Sequence, residues 1–244
     1  MALLEIRGVC KSFRTLRALD GVDVDVEAGT FHGLIGPNGS GKSTLLKAVA
    51  GAYFADSGSI VFDGHDITRA TPYERARAGL SLKFQITAVL PELSVYDNVL
   101  LATQSDETVM SLLLSRKRRA FDEEVTALLE RFRLIDRADD LAGELSHGQQ
   151  QWLEIAMALA LKPKLLLLDE PTAGMSSEER RVTGELLEPI KSHCALIIVE
   201  HDLHFIRDIC DRLTVLDQGR VLDHGDVETI QRSAKVQQVY TTRV

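Results

Sequence analysis

A glycine-rich loop between a predicted strand and a predicted helix constrains this sequence more than any other feature. Residues Gly36–Ser43 read GPNGSGKS and match the pattern G-x-x-x-x-G-K-[ST] at every fixed position. The predicted strand Thr30–Ile35 precedes the loop, and the helix-forming segment Lys42–Ala50 follows it, with Gly51 as the predicted C-terminal stop. Backbone N–H groups of such a loop converge on phosphate oxygens at a helix N-terminus. The alternative is a glycine-rich turn with an exposed lysine.

This loop predicts contacts to a nucleotide and to Mg²⁺. Lys42 would reach the β and γ phosphates of ATP, and the Ser43 hydroxyl would bind Mg²⁺. The candidate nucleotide-binding residues of the loop are Gly36, Pro37, Asn38, Gly39, Ser40, Gly41, Lys42, Ser43 and Thr44. The predicted cofactors are therefore ATP and Mg²⁺.

Two adjacent carboxylates follow a second buried strand. The segment Leu165–Leu168 is wholly apolar and runs into Asp169 and Glu170. Open parallel sheets place their ligands at the carboxyl ends of the strands. We expect Asp169 to hold Mg²⁺ and Glu170 to act as the general base that polarises the attacking water. The alternative is a solvated strand end without chemistry.

A five-residue segment upstream of these carboxylates narrows the class of NTPase. Leu145–Gln149 reads LSHGQ. The S-x-x-Q spacing of Ser146 and Gln149 predicts a capping box at a helix start. A helix N-terminus with a serine and a glycine also binds phosphate well, so the cap and a phosphate contact are compatible.

Together these elements resemble the ATP-binding cassette (ABC) family, whose LSGGQ signature the segment matches except at His147. The resemblance covers nearly the whole chain. It implies an α/β fold in which a P-loop NTPase core, a mostly parallel sheet flanked by helices, carries an N-terminal antiparallel β subdomain and an inserted α-helical subdomain. We expect a single domain over residues 1–244, with the nucleotide-binding core in 1–86 and 145–244 and the helical subdomain in 87–144.

The hydrophobic pattern is compatible with this organisation. Leu3–Val9 and Ala18–Val26 show the alternation of half-buried strands and predict an antiparallel start. The region from Thr87 to Glu144 is helical in texture, with apolar residues at Val125, Leu128, Leu129 and Phe132. The short apolar runs after it predict buried parallel strands over Lys164–Asp169, Ala195–Glu200 and Arg212–Asp217. We expect a last helix over Val227–Tyr240, capped by Asp226.

Three further site residues are implied by the resemblance. Phe13 lies where the family carries an aromatic ring that stacks on adenine; the alternative is a core phenylalanine. Gln85 matches the glutamine that contacts Mg²⁺ and the water; the alternative is a surface glutamine. His201 matches the switch histidine at the γ-phosphate; the alternative is a structural histidine at a strand end.

The resemblance also implies a composite site. In the family, each nucleotide lies between the phosphate loop of one subunit and the signature of another, so Ser146, Gly148 and Gln149 would contact ATP across a homodimer or a heterodimer with a sister cassette. Nucleotide binding closes the dimer, and the helical subdomain passes the motion to a membrane permease. The chain departs from the family at His147 and at Ser176, where many cassettes have an aspartate that couples the two sites.

Composition argues against several other classes. The formal net charge of −8 disfavours a nucleic-acid binder, and three cysteines without metal-ligand spacing suggest neither a disulfide framework nor a zinc site. We expect no secretory signal and no membrane span, hence a protein at the cytoplasmic face of the inner (plasma) membrane, held there through the permease. The alternatives are a DNA-repair or translational cassette, an exporter cassette, or an ATP sensor without turnover.

Several segments are similar to the cassettes of branched-chain amino acid, urea and short-amide importers. They are Gly33–Gly39, Lys83–Gln85, Leu93–Val99, Glu170–Met175 and Val199–Asp202. The urea branch is favoured by two segments, Ser146–Gln149 and Gln151–Ile155. In such importers a separate extracytoplasmic solute-binding protein acts with the permease. This sequence does not identify the solute, because the cassette does not contact it.

Overall fold

Two β-sheets form the centre of the molecule in a computed structural model that describes residues 2–83, 89–104 and 118–242. The first sheet has the strand order β2-β1-β4-β5 and the second β10-β9-β3-β8-β7-β6. The strands are β1 Ala2–Phe13, β2 Leu16–Glu27, β3 Phe31–Ile35, β4 Ser57–Phe62, β5 His65–Asp66, β6 Leu80–Lys83, β7 Leu165–Asp169, β8 Ala195–Val199, β9 Arg212–Asp217 and β10 Arg220–Asp226.

The first sheet is antiparallel, as its sequence predicts. β1 pairs with β2 and with β4, and β4 pairs with β5. Alternation places Leu4 and Ile6 of β1, and Val22 and Val26 of β2, in the core. The strands β4 and β5, which complete this sheet, were not predicted from the sequence.

The second sheet is parallel from β6 to β9. β3 lies between β8 and β9, and β7 lies between β6 and β8, all in parallel pairs. Every residue of β3, β7 and β8 is buried, which explains the apolar runs of β7 and β8. β10 adds an antiparallel edge next to β9. Neither β6 nor β10 was predicted.

The helices lie between and beside the sheets. They are α1 Lys42–Val49, α2 Pro72–Arg77, α3 Val95–Thr103, α4 Arg118–Arg131, α5 His147–Ala160, α6 Ser177–Leu187, α7 Leu203–Ile209, α8 Val227–Arg232 and α9 Ala234–Thr242, with 3₁₀ turns at Ile135–Arg137, Ala142–Glu144 and Glu188–Ser192. In the described ranges, no helix is both long and apolar enough to cross a membrane.

The C-terminal helix differs from its prediction. Asp226 is the N-cap of α8, as expected, and accepts a hydrogen bond from the Thr229 N–H at 2.7 Å. The predicted single helix over Val227–Tyr240 is wrong, because Ser233 leaves the helical conformation with ψ of 115°. Its hydroxyl donates to Asp223 instead. Serine competes with helix continuation through such side-chain bonds, so the chain breaks into α8 and α9.

A buried guanidinium supports the end of α1. Arg75 of α2 is 1% exposed, and its Nη1 donates to the carbonyls of Ala48 at 2.6 Å and Val49 at 2.7 Å. Burial lowers the pKa of Arg75 to about 10. Gly51, with φ of 82°, ends the helix as predicted, and a Cβ there would lie 2.9 Å from the Arg75 Nε.

Helices α3 and α4 lie in the region predicted to be helical. Val99 of α3 and Leu129 of α4 belong to the same apolar cluster as Leu153 of α5 and Leu166 of β7. The helical region therefore shares its core with the second sheet, and α5 joins the two. The boundaries at residues 86 and 145 stay a prediction.

A buried ion pair ties β6 to α5. The Lys83 Nζ lies 3.0 Å from Glu154 Oε2, and both side chains are 3% exposed. Lys83 is also the β-partner of Leu168, the residue before Asp169. The pair therefore joins the edge strand, which leads toward Gln85, to the helix that begins at the signature.

We expect Glu154→Leu to lower the free energy of unfolding by about 3–5 kcal/mol, because it leaves the Lys83 ammonium buried without its carboxylate. The double variant Lys83→Met with Glu154→Leu should recover most of that loss. Urea unfolding measures both. As a control, breaking the exposed Arg232–Glu228 pair should have little effect. A double variant no more stable than the single one would contradict this account.

His32 of β3 makes stability depend on pH. Burial lowers its pKa to about 4, with the charge of Arg212 acting in the same direction, and its Nε2 lies 2.8 Å from Thr214 Oγ1. The folded pKa lies below the unfolded value, so only the unfolded chain binds a proton here as pH falls from about 6.5 toward 4.

Stability should therefore drop on acidification, with a contribution from His32 of about 2 kcal/mol between pH 7 and pH 5. In His32→Leu this part of the pH dependence should be absent, whereas His65→Leu, at an exposed histidine, should keep it. Urea unfolding at both pH values gives the comparison. Equal pH slopes in the wild type and His32→Leu would refute the assignment.

Candidate nucleotide site

The loop after β3 has a backbone that glycine alone suits. Gly36, Gly39 and Gly41 have φ of 148°, 76° and 108°. A Cβ at Gly36 would lie 2.1 Å from the Leu216 carbonyl oxygen, and one at Gly41 would lie 2.6 Å from that of Ala18. The loop is therefore both left-handed and closely packed against its neighbours, as a phosphate-binding loop requires.

Lys42 lies within this loop rather than in solvent. Its Nζ donates to the carbonyls of Gly36 at 2.9 Å and Pro37 at 3.0 Å, and the residue is 6% exposed. Burial lowers the pKa of Lys42, while the carboxylates of Glu170 and Asp169 act in the opposite direction. This excludes the alternative of an exposed lysine and leaves an ammonium whose buried charge favours an anion.

Ser43 and Asp169 meet next to that ammonium. The Ser43 Oγ donates to Asp169 Oδ1 at 3.1 Å. Burial raises the pKa of the Asp169 carboxyl, although the bond from Ser43 acts to lower it. A hydroxyl and a partly desolvated carboxylate are hard oxygen donors of the kind that Mg²⁺ takes alongside phosphate oxygens, so the residues fit the ion.

Glu170 and His201 form a pair at the ends of neighbouring strands. Asp169 of β7 is the β-partner of Val199 of β8, so the residues that follow these strands are neighbours. The His201 Nε2 lies 2.8 Å from Glu170 Oε1. Glu170 adopts a left-handed φ of 51° while its N–H donates to the Val199 carbonyl at 2.8 Å. Because a carboxylate only accepts, His201 carries its proton on Nε2.

Glu200 holds this pair in position, a role that was not predicted from the sequence. It is 5% exposed, and its Oε1 accepts the Thr172 N–H at 2.8 Å and the Thr172 Oγ1 hydroxyl at 2.7 Å. Its Oε2 accepts the His201 N–H at 3.1 Å. One buried carboxylate therefore joins the loop after Glu170 to the backbone of His201. The sequence shows only that Glu200 ends the predicted strand Ala195–Glu200, not that its side chain is buried.

The signature segment forms the predicted cap. Ser146 is the N-cap of α5, where its Oγ accepts the Gln149 N–H at 3.3 Å and its own N–H donates to Gln149 Oε1 at 3.0 Å. Gln149 Oε1 is thus engaged within the cap. The Ser146 hydroxyl still has its proton to donate, so the cap leaves a phosphate contact possible.

Phe13 is not a core residue. It is 38% exposed at the end of β1, edge-on to Tyr53 with ring centroids 5.1 Å apart. Its partner strand β2 passes the phosphate loop at Ala18, whose carbonyl approaches Gly41. An exposed ring near the loop agrees with adenine stacking. Gln85 lies outside the described residues.

The chain resembles known proteins over most of its length. Residues 19–173 match the family described as ABC transporter. The chain belongs to the ABC transporter ATPase family. The probable branched-chain amino acid transport ATP-binding protein LivG of Archaeoglobus fulgidus is 35% identical over 98% of this cassette and 95% of its own length. The xylose/arabinose import ATP-binding protein XylG of Sulfolobus acidocaldarius is 35% identical over 93% and 89%.

Solved structures share the whole fold of the cassette. The ADP conformation of an ATP-binding cassette of an ABC transporter superposes with a TM-score of 0.88 at 31% identity, covering 99% of each chain. A dimeric post-hydrolysis cassette bound to ADP and Pi gives 0.80 at 25% identity, covering 92% of this chain and 98% of the other. The predicted α/β cassette fold is confirmed, and the chain is an ATP-binding ATPase of this family.

We expect Glu200→Gln to lower kcat for ATP hydrolysis about tenfold with little change in KM, because the amide N–H₂ would face the His201 N–H where an acceptor is needed. Thr172→Val, which removes only one donor to Glu200, should have a smaller effect. Steady-state ATPase assays measure both constants. A Glu200→Gln enzyme with unchanged kcat would show that this buried carboxylate does not position the pair.

Proposed function

We propose that this cassette is the ATP-hydrolysing subunit of an ABC importer for a small polar solute, with branched-chain amino acids as the first candidates. The observation that carries the proposal is the Glu170–His201 pair, 2.8 Å apart, beside the buried Lys42 and the Ser43–Asp169 bond. A protein that binds ATP without hydrolysing it does not need a proton acceptor, Glu170, held by a hydrogen-bond donor, His201, at this place.

Each side chain has a separate role in this proposal. Lys42 neutralises the β and γ phosphates, whose oxygens the loop amides bind. Glu170 orients the attacking water and takes its proton as the water oxygen bonds to the γ phosphorus and the bond to ADP breaks. His201 holds the carboxylate of Glu170 through its Nε2 hydrogen, next to the γ-phosphate. Mg²⁺, held by Ser43, Asp169 and Gln85 with the phosphates, would neutralise the developing charge.

The working site is shared between two subunits in this proposal. Ser146, Gly148 and Gln149 of the second subunit, either another copy or a sister cassette, would close on the γ-phosphate at the N-terminus of α5. The dimeric post-hydrolysis cassette to which this chain is similar supports the arrangement. The opening and closing of that dimer would act on permease subunits at the cytoplasmic face of the membrane, while a solute-binding protein delivers the solute outside.

Similarity favours an importer but leaves several solutes as candidates. LivG and XylG share the same sequence identity with this cassette, 35%, and the match to LivG covers more of both chains. Branched-chain amino acids therefore come first and pentoses second. The motifs that suggested a urea importer are supported by neither of these two relatives, so urea is the third solute to test.

Uptake of labelled leucine, xylose and urea should be compared in cells whose only copy is the wild type, Glu170→Gln or Glu228→Gln. We expect Glu170→Gln to abolish leucine uptake and to lower ATP hydrolysis by at least about 100-fold in the purified protein, because the general base is lost. Glu228→Gln, at an exposed glutamate of α8, should match the wild type.

Loss of xylose or urea uptake instead would reassign the solute. Unchanged uptake of all three solutes, despite lost hydrolysis, would overturn the importer assignment proposed here and favour an exporter or a cassette without transport. Full hydrolysis by Glu170→Gln would overturn the catalytic role of Glu170.

A further inference from the structure

His147, the residue that replaces a glycine of the family signature, contacts the loop that carries Glu170. Its Nε2 lies 3.0 Å from the carbonyl oxygen of Ala173, in the same subunit. Ala173 in turn donates its N–H to the Glu170 carbonyl at 3.2 Å. The first residue of α5 is therefore two hydrogen bonds away from the catalytic carboxylate's own backbone.

The chemistry of this contact fixes the role of each partner. A carbonyl oxygen only accepts, so the Nε2 of His147 carries a hydrogen and donates it. Gly174, with φ of 74°, packs under the ring, since a Cβ there would lie 3.2 Å from His147 Cδ2 and Nε2. The loop thus turns tightly against the imidazole. A glycine at position 147, as in the family signature, would supply neither the donor nor the ring.

A second contact joins the start of α5 to the start of α6. Glu179 of α6 accepts the N–H of Ser176 at 2.8 Å through Oε2, in the capping box that starts α6. Its other oxygen, Oε1, would lie 2.5 Å from a Cβ at Gly148. The capped start of α6 therefore packs against the second residue of α5.

The two helices are also bonded further along their lengths. The Trp152 indole N–H of α5 donates to Thr183 Oγ1 of α6 at 2.8 Å, and both residues are buried. Helices α5 and α6 therefore already form one packed unit. His147 extends this unit to the loop after Glu170, which Glu200 also holds through Thr172.

We propose that His147 is a positioning residue that couples the signature to the Glu170 loop of its own subunit. The coupling takes the place of the aspartate that this chain replaces with Ser176, which serves here as the N-cap of α6. The inference rests on the proposed shared site. When the signature closes on the nucleotide of the partner subunit, the bond to Ala173 places the Glu170 loop of the same subunit, so each subunit's two half-sites form together.

The test compares His147→Ala, His147→Gln and His147→Asn by steady-state ATP hydrolysis. Alanine removes the donor and should lower kcat about three- to tenfold, with KM and nucleotide affinity unchanged because the phosphate loop is intact. The amide N–H of glutamine reaches as far as Nε2 and should restore most of kcat. The shorter asparagine should not. His65→Ala is the matched control, since His65 is also exposed and also bonds a backbone carbonyl.

The outcomes separate this inference from the proposed function. ATP-dependent dimerisation in the Glu170→Gln background, measured by light scattering, tests the shared site itself, and its absence would overturn the proposed arrangement. If the dimer forms but His147→Ala keeps the wild-type kcat, the positioning role is wrong. An equal loss in the alanine and glutamine variants would also refute it, since the donated hydrogen would then be irrelevant.

Discussion

The parallel pairing of β3, β7 and β8 is the constraint on which the nucleotide site depends. Parallel strands present their carboxyl ends at the same edge of a sheet. The loop with Lys42, the carboxylates Asp169 and Glu170, and His201 follow these three strands, so segments far apart in sequence meet without long connections. Each strand is wholly buried, and its apolar side chains fix the register that brings these polar groups together.

Much of this edge could be predicted from the sequence, because each functional segment has a local pattern. The glycines of 36–41 specify the loop, and continuous apolar runs specify β7 and β8. The strands that were missed have no such pattern: β6 reads LSLK, and β10 carries aspartates, a histidine and a glycine. Pairing with a neighbouring strand, rather than intrinsic preference, stabilises them. The break at Ser233 likewise depends on Asp223, which no local pattern marks.

The parts of the site that the sequence did not predict are buried polar contacts. Three of these charged residues, Glu200, Glu154 and Lys83, resemble surface residues by composition and periodicity. The neighbouring sequence does not show that each is buried against a polar partner in the folded protein. His147 was visible as a departure from the signature, but its acceptor at Ala173 was not. Local sequence patterns predict which residues form the site, whereas tertiary contacts determine how rigidly those residues are held.

The hydrogen bonds from Arg75 to the end of α1 give this helix a mechanical role. At one end this helix begins within the phosphate loop, and at the other its last carbonyls bond a guanidinium that belongs to α2. Eight residues of helix span about 12 Å. The helix is therefore a short, stiff strut between the phosphate loop and α2, whose Tyr73 is exposed to solvent. A displacement of α2 would therefore reach the phosphate loop directly through that strut.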